Sequence, residues 1–339
     1  MEIQENIELA PHTTFKIGGK ARYFCLVQNE KDLKEAVAFA KEKKVPMLVL
    51  GGGSNVLISE KGFDGLVVKI ELKGIEFEEI AKGTLVHVGA GENWDTLVSE
   101  TVKRALFGLE NLSGIPGTVG GAPVQNIGAY GAEVKDIFDS VEVFDPLTGG
   151  IFAMTKKECE FGYRDSIFKH EEGKHLVILK VTFFLKENGE LNTSYKDVKK
   201  YLEEKKITEP TQEEVRNAVI EIRSKKFPDL KKFGTAGSFF KNPIIQREEF
   251  EKLLNDYPKL PSFPAGEGLV KIPAGYLFDV ICGFKGVRHG DAGVFENQAL
   301  VLVNWGKATA EEIKKLAEEM RAKVKEKTGI EIEFEVNIV

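Results

Sequence analysis

The chain has 339 residues, 42% of them hydrophobic, enough for two or three compact domains each with its own core. A formal charge of -6 argues against a nucleic-acid polymer as partner, because phosphate backbones are gripped by broadly basic surfaces. Cys25, Cys159 and Cys282 are widely spaced and in no C-x-x-C arrangement, so neither a disulfide framework nor a zinc site is expected, and a reducing cytoplasmic setting fits. Met1-Glu2-Ile3-Gln4-Glu5 carries no apolar h-region and no run is long enough to cross a bilayer, so neither export nor a membrane partner is expected.

No internal repeat or low-complexity tract occurs, and the chain reads as mixed α and β units. Leu33, Ala36, Val37 and Ala40 recur at helical spacing over 30–44, and Val45-Pro46-Met47-Leu48-Val49-Leu50 reads as a short buried strand. Strands at 66–70 and 85–88 and a helix over 94–105 complete an open α+β layer. Longer strands of a second layer are predicted at 140–144, closed by the turn Asp145-Pro146, and at 176–185. The polar, lysine-rich stretch 188–210 reads as a linker or mobile lid. Thr211-Gln212-Glu213-Glu214 has the form of a capping box, followed by an apolar stripe of Val215, Ala218, Val219 and Ile222 that Pro228 stops. Thr309-Ala310-Glu311-Glu312 repeats the device, with Ile313, Leu316, Ala317, Met320 and Val324 as the stripe and Gly329 as the stop; a last strand covers 330–339.

Two glycine-rich segments break this pattern. Val49-Leu50-Gly51-Gly52-Gly53-Ser54-Asn55-Val56-Leu57 sets three glycines directly after a buried strand, where consecutive N–H groups can turn toward one anion; a diphosphate suits such a nest. Gly114-Ile115-Pro116-Gly117-Thr118-Val119-Gly120-Gly121-Ala122-Pro123-Val124-Gln125-Asn126-Ile127-Gly128-Ala129-Tyr130-Gly131 is too glycine-rich for a regular element and too apolar for a linker, and is expected to approach a ligand closely. Neither is a G-x-G-x-x-G opening a helix and no P-loop motif occurs, so each loop alone either touches a ligand or only turns the chain. Over 216–241, Arg216, Arg223, Lys225, Lys226, Lys231, Lys232 and Lys241 face only Glu221 and Asp229, a basic island that is either a solvated helix face or a local hold on phosphate. His12, His87, His170, His175 and His289 are scattered, and without H-E-x-x-H or G-x-S-x-G, zinc hydrolysis and Ser-His-Asp acyl transfer lack their parts.

In order and spacing these loops resemble the FAD-binding loops of the UDP-N-acetylenolpyruvoylglucosamine reductase family. The resemblance continues through Thr13-Thr14-Phe15-Lys16-Ile17-Gly18-Gly19, Gly162-Tyr163-Arg164-Asp165-Ser166-Ile167-Phe168-Lys169, Ala236-Gly237-Ser238-Phe239-Phe240-Lys241-Asn242-Pro243 and Ala274-Gly275-Tyr276-Leu277 to Glu333-Phe334-Glu335-Val336, nearly the whole chain. Thr193-Ser194-Tyr195-Lys196-Asp197 resembles the loop of the subtype that carries a substrate-binding tyrosine, whereas Phe263 stands where better-known members have tyrosine. The implied fold is α+β: a vanillyl-alcohol-oxidase-type two-lobe FAD-binding fold plus a separate α/β substrate-binding domain. Lobe 1 would cover 1–70, lobe 2 would cover 71–205 with the strand 330–339 returning to it, and the substrate-binding domain 211–328.

The resemblance implies an NADPH-dependent, FAD-mediated reduction of UDP-N-acetylglucosamine enolpyruvate to UDP-N-acetylmuramate in peptidoglycan precursor synthesis. FAD would be held non-covalently and NADPH would be a co-substrate, in a cytoplasmic monomer with no metal and only small-molecule partners. By the same resemblance Ser238 is the proton donor, with Arg164 and Glu335 at the substrate carboxylate. Gly51, Gly52, Gly53, Ser54, Asn55, Ile115, Pro116, Gly117, Gly121, Ala122, Gln125, Asn126, Gly128, Ala129 and Arg223 match flavin contacts, and Tyr195, Lys226, Asn242 and Gln298 match substrate contacts. Two alternatives stay open at this point: a flavin-dependent alcohol oxidase or dehydrogenase of the related fold, and a non-catalytic sugar-nucleotide or flavin-binding protein.

Overall fold

The computed structural model describes residues 1–339, which divide into two compact units. The first comprises Met1–Ile7, Ala21–Gly52 and Asp64–Ser224; the second comprises Glu8–Lys20, Gly53–Phe63 and Lys225–Val339. No helix is long and apolar enough to cross a membrane.

Two sheets and their helices make the first unit. One sheet orders its strands Gln4–Glu8, Lys20–Val27, Phe63–Ile70 and Met47–Leu50, the last two parallel with Met47 opposite Leu66. The helix Glu30–Lys43 connects Lys20–Val27 to Met47–Leu50, buries Leu33, Ala36, Val37 and Ala40, and ends on Lys44 in the left-handed region at φ 54°. The other sheet is antiparallel throughout, ordered Ile151–Thr155, Phe138–Phe144, Val177–Leu185, Gly83–Gly89, Ile75–Ile80. Asn93 caps the helix Trp94–Lys103, and Trp94, edge-on to Phe183 at 5.9 Å, donates its indole N–H to the Leu112 carbonyl at 2.9 Å. That bond ties the entry of the long glycine-rich loop to the core.

In the second unit the helix Ala310–Thr328 is closed by a full capping box at Thr309 and Glu312 and by Gly329 at φ 73°. Its stripe of Ile313, Leu316, Ala317, Met320 and Val324 packs in one core with Phe239, Phe240, Phe278 and Leu302. Two three-stranded sheets, Ile244–Gln246/Leu269–Lys271/Phe263–Pro264 and Arg288–His289/Ala292–Phe295/Gln298–Asn304, complete it.

Three features differ from the sequence expectations. The stretch 188–210 is not wholly linker: the helix Lys196–Glu204 buries Val198 and Leu202 against Tyr130, Val219 and Ile222. The capped helix Gln212–Lys226 groups with the first unit as far as Ser224, because its apolar stripe meets that cluster and Gln212 donates to the Leu106 carbonyl at 2.6 Å. The terminal segment groups with the second unit and is not one strand over 330–339. Only Asn337–Ile338 forms a ladder, parallel to Val56–Leu57, while Ile332 and Val336 are buried in the second core.

Candidate active site

The first unit holds the long glycine-rich loop from several sides. Gly114, at φ 66°, donates its N–H to Asp95 Oδ1 at 2.6 Å, and its carbonyl accepts from Arg223 Nε at 3.0 Å. Arg216 grips both oxygens of Asp95 in a fork at 2.7 and 2.8 Å. Burial alone would raise the Asp95 carboxyl, but the Arg216 fork and the Gly114 N–H outweigh it and hold the group below its ordinary value. Burial lowers the Arg223 guanidinium, with Tyr130 and Asp95 opposing the shift.

A depressed carboxylate has a defined pH signature. Its stabilisation is complete above the unfolded value of about 3.9 and is lost as pH falls through the lower folded value. Asp95→Asn is therefore expected to be less stable than the wild type near neutrality, with the gap closing as pH falls below about 4. Denaturant titrations across that range check it; a gap independent of pH would refute the sign.

The N–H groups of Ile115, Gly117 and Thr118 have no acceptor in the chain, whereas those of Val119 and Gly120 donate to the Glu92 and Ala90 carbonyls. Gly52 lies so close that a Cβ there would stand 2.7 Å from Gly117 Cα, and one on Gly51 would stand 2.5 Å from Thr118 Oγ1. Further along, Gly121 is exposed, Ala122 is part of the apolar core, Pro116 and Gln125 are half-buried, and Gly128–Ala129 forms a short hairpin with Ala132–Glu133. Asn126 is fully buried, its amide bonds Glu133, Gly162 and Lys135, and its backbone N–H donates to the Pro123 carbonyl at 3.2 Å. Arg164, at φ 54°, donates Nη2 to the Gly128 carbonyl at 2.6 Å. Tyr195 immediately precedes the helix Lys196–Glu204 and meets the Tyr130 ring edge-on at 5.3 Å; burial pushes the Tyr130 hydroxyl up to about 12.

The second unit places Ser238 and Glu335 on neighbouring extended strips. Ser238 bridges Val301, Phe239 N–H donates to the Leu300 carbonyl at 2.8 Å, and Glu335 N–H donates to the Phe239 carbonyl at 2.8 Å. On the same strips the rings of Phe239, Phe240 and Phe334 pack within 5.7 Å of one another, and Ser238 and Glu335 are half-buried. Asn55 donates its side-chain N–H to the Glu335 carbonyl at 3.1 Å, and the N–H groups of Gly53 and Ser54 have no acceptor in the chain. Asn242 accepts from the Ala274 N–H at 2.9 Å, Gln298 lies against Gly275, and Lys226 is half-buried at the end of its helix. Phe263 is 56% exposed opposite Lys271 and offers no hydroxyl.

Asp95, Arg216, Gln212 and Thr118 were not among the sequence candidates. Asp95 and Arg216 are 121 residues apart in sequence, and Asp95 reads as an ordinary acid in a helix first turn. A signal does exist: Gln212, Arg216, Val219 and Arg223 follow one helical line, so polar residues interrupt what should be a continuous apolar stripe.

Residues 21–154 match the family model described as FAD binding domain, so the unit bearing the long glycine loop is of the flavoprotein class. Residues 229–339 match the model described as UDP-N-acetylenolpyruvoylglucosamine reductase, C-terminal domain. The reductase of that name from Chromobacterium violaceum is 44% identical over 337 residues, 99% of this chain and 98% of that protein. The one from Flavobacterium johnsoniae is 46% identical over 341 residues, 100% of each. The crystal structure of UDP-N-acetylenolpyruvylglucosamine reductase from Thermus caldophilus aligns with a TM-score of 0.69 at 27% identity, covering 100% of this chain and 99% of that one. The chain belongs to the UDP-N-acetylenolpyruvoylglucosamine reductase family.

Proposed function

We propose that this protein is a cytoplasmic, monomeric flavoenzyme that reduces UDP-N-acetylglucosamine enolpyruvate to UDP-N-acetylmuramate, using NADPH and a non-covalent FAD. The full-length match to reductases of that name, at 46% identity over 100% of both chains for one of them, carries the reading. The donor set fits a dinucleotide. Backbone N–H groups of Gly52, Ile115, Gly117 and Thr118 lack acceptors, and side chains are excluded where Gly52 meets Gly117. Gly51 and Arg223, with the backbone from Pro116 to Ala129, would complete the cradle of this unit, and the family resemblance adds Gly53, Ser54 and Asn55 as flavin contacts. When bound, FAD supplies the two-electron chemistry, accepting hydride from NADPH and delivering hydride to the enolpyruvyl carbon.

The chain's own task is then charge and proton control. Hydride at the terminal carbon of an enol ether leaves negative charge on the adjacent carbon and its carboxylate, so the transition state needs a fixed cation and a donor. Arg164 supplies the cation as a planar fork suited to a carboxylate, and Glu335 polarises the same group. Ser238 hands its hydroxyl proton to the carbon that carries the developing charge. A serine is a weak acid, but this carbon is a far stronger base than water, and exclusion of solvent directs the transfer. Lys226, Asn242, Gln298 and Tyr195 hold the nucleotide and diphosphate.

The test is the fate of the hydrogens. With NADPH in deuterated water the product is expected to carry solvent deuterium on the carbon beside the carboxylate, whatever label reaches the methyl carbon by exchange of the reduced flavin with water. Solvent hydrogen absent from the carbon beside the carboxylate would overturn the proton-transfer scheme.

A further inference from the structure

We propose that Asn126 is a positioning residue that holds Arg164 in its working place, an inference that rests on the role assigned to Arg164 above. Asn126 is 0% exposed and sits in the left-handed region at φ 46°. Its Nδ2 donates to the Gly162 carbonyl at 2.9 Å and to Glu133 Oε2 at 3.1 Å, while its Oδ1 accepts from the Lys135 N–H at 2.9 Å. A buried amide with this many partners fixes its surroundings, because breaking any one of them strands a polar group away from water.

What it fixes is a tight turn. Gly162 N–H donates to the Asp165 carbonyl at 3.0 Å and closes 162–165, with Arg164 inside it at φ 54°. A non-glycine residue in that region carries strain and persists only where neighbours over-determine it. Three neighbours do so here: Asn126 on the Gly162 carbonyl, Lys169 Nζ on the Arg164 carbonyl at 3.2 Å, and His170 against Asp165 at 2.8 Å. The same loop also reaches the other end of the arginine, since Gly128, two residues beyond Asn126, accepts from Arg164 Nη2 at 2.6 Å. Backbone and guanidinium of Arg164 are thus referenced to one short segment, 126–128. This gives the buried amide a function that direct flavin contact would not, because its polar atoms already have partners within the chain.

The test compares Asn126→Gly, Asn126→Asp, Arg164→Ala and the double variant Asn126→Gly/Arg164→Ala. Glycine accepts φ 46° without strain and removes only the side chain, so it keeps the question answerable should the aspartate variant fail to fold. A displacement of about 1 Å at a reacting group slows a step by up to roughly 100-fold, so Asn126→Gly is expected to slow flavin reoxidation by the enolpyruvyl sugar nucleotide about 10- to 100-fold. On the Arg164→Ala background the same change is expected to add less than about 2-fold, since both act through one guanidinium. Independently of turnover, hydrogen exchange at 162–165 should accelerate in Asn126→Gly while the strand Val177–Leu185 stays protected. Additive rate losses, or unchanged exchange at 162–165, would overturn the positioning role while leaving the function of Arg164 intact. Wild-type reoxidation in Arg164→Ala would instead remove the assignment of Arg164, and this inference with it.

Discussion

Ser238→Ala is expected to leave reduction of the flavin by NADPH unchanged and to slow its reoxidation by the enolpyruvyl sugar nucleotide about 100- to 10,000-fold, the range a positioned general acid contributes. Geometry makes the substitution clean. Ser238 lies on a strip whose backbone bonds, from Phe239 to Leu300 and from Glu335 to Phe239, do not involve its hydroxyl, and Phe239 and Phe240 beside it are the buried anchors. Removing one oxygen therefore deletes the proton without moving the strip. Anaerobic stopped-flow absorbance separates the two half-reactions, and equal reoxidation rates in variant and wild type would remove Ser238 as the acid.

Gly52→Ala is expected to produce a protein that no longer retains FAD. The new Cβ would stand 2.7 Å from Gly117 Cα and 3.1 Å from Gly117 C, and both are backbone atoms that no rotamer change can withdraw. The two glycine segments must separate, which costs about 1–3 kcal/mol as overpacking does elsewhere and displaces the N–H groups of Gly52, Gly117 and Thr118 together. Wild-type melting temperature should rise with added FAD, because a ligand of the folded state stabilises it by mass action. The variant should melt lower and lose that dependence. Full flavin occupancy in Gly52→Ala would mean that the close approach is not part of the cradle.

Local rules carried far into this fold. The capping box at Thr309, the stripe from Ile313 to Val324 and the stop at Gly329 recur in the structure as the sequence implied, because caps and helical periodicity act within a few residues. The same holds for the buried strand Val177–Leu185, whereas Met47–Leu50 forms the expected strand with only Leu50 buried and Val49 40% exposed. What the sequence hid depends on distant partners. Lys196–Glu204 is lysine-rich and reads as solvated, yet Val198 and Leu202 suffice to dock it once Tyr130 and Ile222 stand opposite. The tail 330–339 has no local signal for its partner, and Val56–Leu57 lies some 280 residues away. For the site, glycine content betrayed both loops, and the motif around Ser238 was visible only through resemblance. The Asp95–Arg216 fork and the amide of Asn126 were not legible as supports, since each is defined by what it touches rather than by a pattern along the chain.

One titration addresses the central assignment most directly. The purified protein, made anaerobic, is reduced with a slight excess of NADPH, and UDP-N-acetylglucosamine enolpyruvate is then added in portions while the flavin absorbance is followed. The expected result is a bound flavin spectrum that NADPH bleaches and that returns in proportion to the enolpyruvyl sugar nucleotide added. A protein that binds no flavin, or a reduced flavin that recovers only when oxygen is admitted, would contradict the reductase assignment.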